Sequence, residues 1–262
     1  MKKKLNIIKI GGNIIDDEKL LMSFIKDFSS INDPCILVHG GGKLATELSK
    51  KLNIEPKLID GRRITDSETL DIVTMVYGGL INKKVVALLQ SNNCDAIGLS
   101  GADANCITAK KREVKTIDYG FVGDINTDSI SVKTIQEFIE SNLTLVFSPI
   151  THDGNGQLLN TNADTIASVL SIALATFYEV NLYYCFEKKG VLKNVNDENS
   201  LIPIMDKESY TELKNLGIIS DGMIPKIDNA FDALENGVSE VVIGHASQLI
   251  ELINNHAGTR IK

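Results

Sequence analysis

Two stretches decide the fold, LNIIKIGG (5–12) and ILVHGGGKLATELSKKL (36–52). The first is a short apolar run over 5–10, stopped by Gly11-Gly12, and it reads as a buried strand. Asp16 or Asp17 can cap the helix that follows, whose Leu21, Ile25 and Phe28 fall near helical spacing. The second repeats the theme. Residues 36–38 form a short buried strand, His39-Gly40-Gly41-Gly42 turns the chain, and Leu44, Leu48 and Leu52 recur at i, i+4, i+8. Strand, glycine turn and helix in succession, twice, specify a parallel sheet with crossover helices.

Outward from this pair, residues 54–66 read as an irregular hairpin around Asp60-Gly61, and a long helical region runs from about 67 to 90. Strands are expected at 96–100 and 143–150, with a short one at 157–159. The stretch 107–132 alternates β-branched and polar residues and suggests a hairpin. Asn162 is placed to cap a helix carrying Ile166, Val169, Leu170 and Ala173 on one face. A strand at 180–186, helices near 207–216 and up to 235, a strand at 240–244 and a helix near 248–253 complete the chain. With no Pro/Gly linker, the expected division is into two lobes, 1–174 and 175–262.

The 262 residues are 43% hydrophobic and 23% charged, which excludes disordered and fibrous classes. The net charge of −7, without a long basic run, argues against a nucleic-acid or polybasic membrane surface. Anionic ligands would therefore need locally concentrated positive charge. MKKKL imitates the start of a signal peptide, but the apolar run behind it is short and contains Lys9. No segment reads as the roughly 18 apolar residues of a membrane span. The four cysteines are widely spaced, with no CxxC pair, and a reducing cytoplasm is the expected setting.

Several motifs carry chemistry. Lys9 ends strand one beside Gly11-Gly12, at the strand edge where open α/β sheets bind ligands. Gly40–Gly42 lets backbone approach a ligand, and the next helix offers free N–H donors to an anion. Neither the Walker A nor the GxGxxG spacing is present. Arg62 and Arg63 suit a carboxylate or phosphate. Asn160 and Asp164 flank the expected cap Asn162. Lys226 sits early in a helix, against the usual dipole preference, which invites an anionic ligand. Each feature taken alone also has a plain structural role as a turn, a cap or a solvated side chain. His39 reads as structural, since no partner at suggestive spacing makes a triad.

Together the elements IIKIGG (7–12), VHGGG (38–42), GRRIT (61–65), NTNADT (160–165), GIISDGMIPK (217–226) and GTRI (258–261) resemble the amino acid kinase family and, within it, the acetylglutamate kinases. They stand in family order across nearly the whole chain. The resemblance implies a three-layer αβα sandwich with a mainly parallel central sheet, an N-terminal lobe for the acylated amino acid and a C-terminal lobe for ATP. It implies transfer of the γ-phosphoryl group to a side-chain carboxylate, in the acylated route to arginine. Carried over residue by residue, Lys9 and Lys226 flank the transferring group and Asp164 holds both ammonium groups. Gly41, Gly42, Arg63 and Asn160 would bind N-acyl-glutamate. Gly11, Gly12, Glu187, Gly190, Ile218, Ile219 and Ser220 would bind ATP. Mg²⁺ is expected to travel with ATP, with no protein ligand assigned.

Two segments depart from the family pattern. CFEKKGV (185–191) carries Glu187 where an Asp is usual, and SGADA (100–104) replaces a Gly-Lys-Asp-Gly run. Segments 75–80 and 100–105 are candidates for the acyl pocket, and acetyl and succinyl acceptors both stay open. Kinases for aspartate, glutamate, carbamate or UMP share the fold. A nucleotide-binding regulatory module without catalysis is the alternative of another class. The family's arginine-inhibited hexamers carry a helix ahead of strand one. Only residues 1–4 precede that strand here, so an arginine-insensitive homodimer is expected, paired through helices near 67–90.

Overall fold

The computed structural model describes residues 2–59, 62–219 and 222–262. Eight strands make one sheet: β1 (Lys4–Ile10), β2 (Cys35–His39), β3 (Ala96–Leu99), β4 (Thr144–Phe147), β5 (Glu179–Phe186), β6 (Ile204–Met205), β7 (Glu240–His245) and β8 (Thr259–Ile261). Their order is β6-β8-β7-β5-β1-β2-β4-β3, and every pairing is parallel except β7 with β8. The helices are α1 (Gly12–Asp16), α2 (Glu18–Ser29), α3 (Gly42–Lys51), α4 (Ser67–Val73) and α5 (Asn82–Ser91). After them come α6 (Val132–Glu140), α7 (Ala163–Ala175), α8 (Lys207–Asn215), α9 (Ile224–Glu235) and α10 (Leu249–Ile253).

Helices α1–α5 and α10 cover one face of the sheet, and α6–α9 cover the other. This is a three-layer αβα sandwich. Because both faces are covered, the inner strands read as nearly continuous apolar runs. Within β1, Leu5 and Ile7 enter the core on the α6–α9 side, while Ile8 and Ile10 enter the opposite one. The same alternation puts Lys9 on the Leu5 side, at the carboxyl end of the strand. From β1 the chain goes to β2 on one side, then returns through α7 to β5 on the other. That reversal beside β1 is the kind of switch point at which open α/β sheets hold ligands.

The boundary expected near 174 falls at the end of α7. β1 and β5, on either side of it, pair over seven residues, and both hydrophobic cores draw residues from both sides. The hairpin expected at 54–66 is an antiparallel ribbon of Leu58–Ile59 with Arg62–Arg63; its Asp60-Gly61 turn lies outside the described residues. Lys110–Lys111 pairs with Gly123–Asp124 within the expected 107–132 hairpin; the segment after it, for which no element was expected, is the helix Val132–Glu140, with Ile135 and Ile139 buried on the sheet. The single strand expected at 143–150 is two. Pro149 has no N–H to continue a ladder, and Ile150–His152 instead pairs with Leu158–Asn160.

Asp17, rather than Asp16, caps α2 by accepting from the Leu20 N–H at 3.0 Å. α4 and α5 join through a π-helical segment, Thr74–Ile81, into one helical run, Ser67–Ser91. By length and composition this run could cross a bilayer, which the sequence reading did not anticipate. Its Leu70, Val73, Val76, Tyr77, Ile81, Val85 and Leu89 are buried in the core, as in the inner helix of a layered domain.

Candidate active site

Three elements converge beyond the carboxyl end of β1. Asn162 caps α7 by accepting from the Thr165 N–H at 3.0 Å, which fixes Asp164 in the first turn. Pro225 and Lys226 lie in the first turn of α9. Lys9 Nζ sits 2.8 Å from Asp164 Oδ1, and Lys226 Nζ sits 2.8 Å from Asp164 Oδ2. One carboxylate thus spans two ammonium groups. Burial pushes the Asp164 carboxyl up, but the two lysines outweigh it and hold it well below the usual carboxylate range. Burial also lowers the Lys226 pKa, against the opposing pull of Asp164. Tyr184 floors the cluster: Lys226 Nζ lies 4.9 Å from its ring centre, and its hydroxyl donates to the Asp164 carbonyl at 3.2 Å.

The two glycine turns pack backbone to backbone. A Cβ on Gly12 would lie 3.5 Å from the Gly42 nitrogen and 3.6 Å from that of Gly41. Gly41 has a φ of +154°, and a Cβ there would meet Ile81 Cδ1 at 2.3 Å. Only glycine allows this approach. Beside the turns a crevice of about 290 Å³ is lined by Lys9, Gly12, Gly41, Gly42, Arg63, Asn160 and Asp164, among others. Arg63 Nη2 donates to the Gly42 carbonyl at 2.9 Å and to Thr46 Oγ1 at 2.7 Å. Its Nη1 is buried without a partner among the described residues. Asn160 donates to Thr65 Oγ1 at 3.0 Å.

A second cavity, also about 290 Å³, is lined by Phe186, Glu187, Gly190, Val191, Leu192, Ile218, Ile219, Met223 and Lys226. The Lys9–Asp164–Lys226 bridge therefore stands where the two cavities meet, since Lys9 and Asp164 line the first and Lys226 the second. Ser220 lies outside the described residues. Gly11 lines neither cavity; its N–H points to the Cys185 carbonyl at 3.4 Å.

Three further residues line the first crevice: Arg62, singled out in the sequence beside Arg63, Tyr77 from the 75–80 segment, and Arg112, which has no signal in the sequence reading. Of the segments proposed for an acyl pocket, only 75–80 contributes, through Tyr77; none of 100–105 lines the crevice. Arg112 arrives from the 110–124 ribbon, held by Asp124, which accepts from its Nε at 3.1 Å. Asn13 Nδ2 donates to Glu187 Oε1 at 3.0 Å, tying α1 to the turn after β5. The GTRI tail braces that turn as well. Thr259 Oγ1 accepts from the Val191 N–H at 2.8 Å and donates to the Ile202 carbonyl at 2.6 Å.

Comparison with known proteins agrees with this arrangement. The profile of the amino acid kinase family matches residues 4–245. An acetylglutamate kinase of Cytophaga hutchinsonii is 56% identical over 262 residues, covering 99% of this chain and 98% of that one. One from Phocaeicola vulgatus is 52% identical, covering all of both. Among solved structures, N-acetylglutamate synthase of Neisseria gonorrhoeae, complexed with coenzyme A and N-acetyl-glutamate, superposes with a TM-score of 0.84 at 19% identity. That match covers 99% of this chain and 59% of the synthase, so it speaks to fold alone. With a profile match over most of its length and relatives more than half identical from end to end, the chain belongs to the amino acid kinase family, on its acetylglutamate kinase branch.

Proposed function

We propose that the chain transfers the γ-phosphoryl group of MgATP to the side-chain carboxylate of N-acetyl-L-glutamate, giving an acyl phosphate and ADP for arginine biosynthesis. The observation that carries this is the cationic bridge at the junction of two cavities. The acceptor occupies the first crevice, with its α-carboxylate on the unpartnered Nη1 of Arg63, assisted by Asn160. Its side-chain carboxylate faces Lys9 and the N–H groups of Gly12, Gly41 and Gly42. ATP lies in the second cavity, its base against Val191, Leu192, Ile219 and Met223, with Glu187, Gly190 and Ile218 around it. Gly11, like Ser220, is assigned to the nucleotide side by resemblance.

The attacking carboxylate is already ionised near neutral pH, so no base has to remove a proton. One of its oxygens bonds to the γ-phosphorus as the bond to the ADP oxygen breaks. Lys9 stabilises negative charge on the entering side and Lys226 on the leaving side, and Asp164 keeps both in place. Mg²⁺ enters as part of the nucleotide. Among the described residues no three His, Cys, Asp or Glu side chains gather to hold a metal, and both Asp164 oxygens face lysines.

An N-succinyl-L-glutamate acceptor is favoured by one feature: Arg62 and Arg112 add guanidinium groups to the crevice beyond the one an α-carboxylate needs. Met75 and Leu80 are exposed on the Ser67–Ser91 run, which supports a homodimer paired there. The four unpaired thiols suit a cytoplasmic setting. The test is steady-state ADP release with each acylglutamate in turn. Release dependent on an acceptor eliminates a silent regulatory module; no release with either acceptor overturns the proposal.

A further inference from the structure

His39 lies under the glycine turn, fully buried, outside both cavities. Its Nδ1 is 2.8 Å from the Gly40 carbonyl oxygen, and its Nε2 is 3.2 Å from Asn82 Nδ2. Asn82 is also buried, and its orientation is set from both ends. Nδ2 donates to the Val146 carbonyl at 2.9 Å, and Oδ1 accepts from Lys83 Nζ at 3.2 Å. A flipped amide would set two acceptors against each other at Val146. Asn82 therefore presents N–H to Nε2, which must accept. Burial lowers the His39 pKa to about 4, so the ring is neutral at working pH and its one proton is on Nδ1. That proton is donated to the Gly40 carbonyl.

Gly40 is then held on both sides, since its own N–H donates to the Ile10 carbonyl at 3.0 Å. The Gly40–Gly41 peptide is planar and trans, so fixing the carbonyl fixes the Gly41 N–H in the opposite direction. The Gly41 nitrogen faces Gly12, and both glycines line the acceptor crevice. We infer that the His39–Asn82 pair is a positioning device for phosphoryl transfer: as the Nδ1–H tautomer, His39 pins the Gly40 carbonyl and thereby aims the Gly41 N–H at the site of developing charge. The inference rests on the kinase function proposed above. The pair acts through the backbone and touches no substrate.

The experiment has a spectroscopic and a kinetic arm, both on the full chain. Long-range ¹H–¹⁵N spectra of ¹⁵N-labelled protein resolve the tautomers of its four histidines, with His39→Asn assigning the His39 signals. The expected result is a protonated Nδ1 and a bare Nε2 from about pH 5.5 to 8, well above the His39 pKa. An Nε2–H ring or an imidazolium in that range overturns the inference. Kinetically, His39→Leu should lower kcat about tenfold with KM for both substrates within about threefold, as expected when one donor is misaimed rather than removed. His39→Asn, whose Nδ2 can occupy the place of Nδ1, should restore kcat to within about threefold of wild type. Equal impairment of the two variants, or full activity in His39→Leu, overturns it. Should the Leu variant not fold, Asn82→Ala decides: the ring should become a tautomer mixture and kcat should fall, and unchanged kcat with a mixed ring overturns the inference. A wild-type protein that phosphorylates no acylglutamate would sink the function and leave the spectroscopic result standing by itself.

Discussion

Asp164→Asn keeps the shape of the side chain and removes the charge that two ammonium groups share. At 2.8 Å each ion pair has an attraction of about 6 kcal/mol at an effective dielectric constant of 20. Desolvation and the partial exposure of the Asp164 side chain, 22%, offset much of this. The cost of removing one partner of such a cluster is about 3–5 kcal/mol. It falls on the placement of Lys9 and Lys226, because two cations without a shared counter-ion repel. Lys226 should respond by losing its proton more easily, since burial and Lys9 already lower its pKa and only carboxylate charge opposes them. Turnover should fall on the order of 10²–10³-fold near pH 7, and the remaining activity should decline as pH rises, because only a protonated Lys226 stabilises the transferring group. Hydroxylamine trapping of the acyl phosphate between pH 6 and 9, at saturating substrates, measures both effects. Turnover within threefold of wild type, or a loss identical at every pH, would refute the account.

The same carboxylate makes a stability prediction with a fixed sign. Its folded pKa is depressed, so its contribution is present above the unfolded value of about 3.9 and is lost as pH falls through the folded one; the gap between the thermal melts of wild type and Asp164→Asn should narrow progressively as pH falls below about 4. Lys9→Ala and Lys226→Ala should each lower kcat by about 10² or more with folding intact by circular dichroism, and unchanged turnover in both counts against the mechanism. Arg63→Ala should chiefly raise KM for the acceptor, whereas Thr46→Val, which removes a partner of Arg63 and a hydroxyl bond to the Gly42 carbonyl but no group lining the crevice, should leave that KM within about twofold. Gly41→Ala should cost about 1–3 kcal/mol by driving a Cβ into Ile81, read as a melting temperature lower by roughly 3–8 °C.

Features with a local cause could be foreseen from the sequence. Glycine turns after apolar runs gave the parallel sheet, the Gly11-Gly12 stop put Lys9 at the ligand-binding end of strand one, and Asn162 announced the turn that holds Asp164. Features made by distant partners could not. Asn13 and Glu187 are 174 residues apart, and nothing near either one signals the other. His39 has no suggestive neighbour because its partner, Asn82, comes from a helix on the far side of the Arg62–Arg63 ribbon. Val132–Glu140 is a different case: the hairpin reading stops at 132 and leaves the segment unassigned, although Val132, Ile135, Phe138 and Ile139 recur at helical spacing and Ile135 and Ile139 are buried.

The central place of β1 has a cost at synthesis. Leu5, Ile7, Ile8 and Ile10 are fully buried, and β2 can cover one edge of the strand once about 40 residues exist. The other edge waits for β5, whose Glu179 pairs with Lys4. At roughly 5–20 residues per second, the intervening stretch takes about 10–35 s to leave the ribosome. Throughout that interval an apolar strand edge is open to pairing with neighbouring nascent chains. Soluble yield on overexpression is therefore sensitive to whatever shields that edge during translation, independently of how stable the finished sheet is.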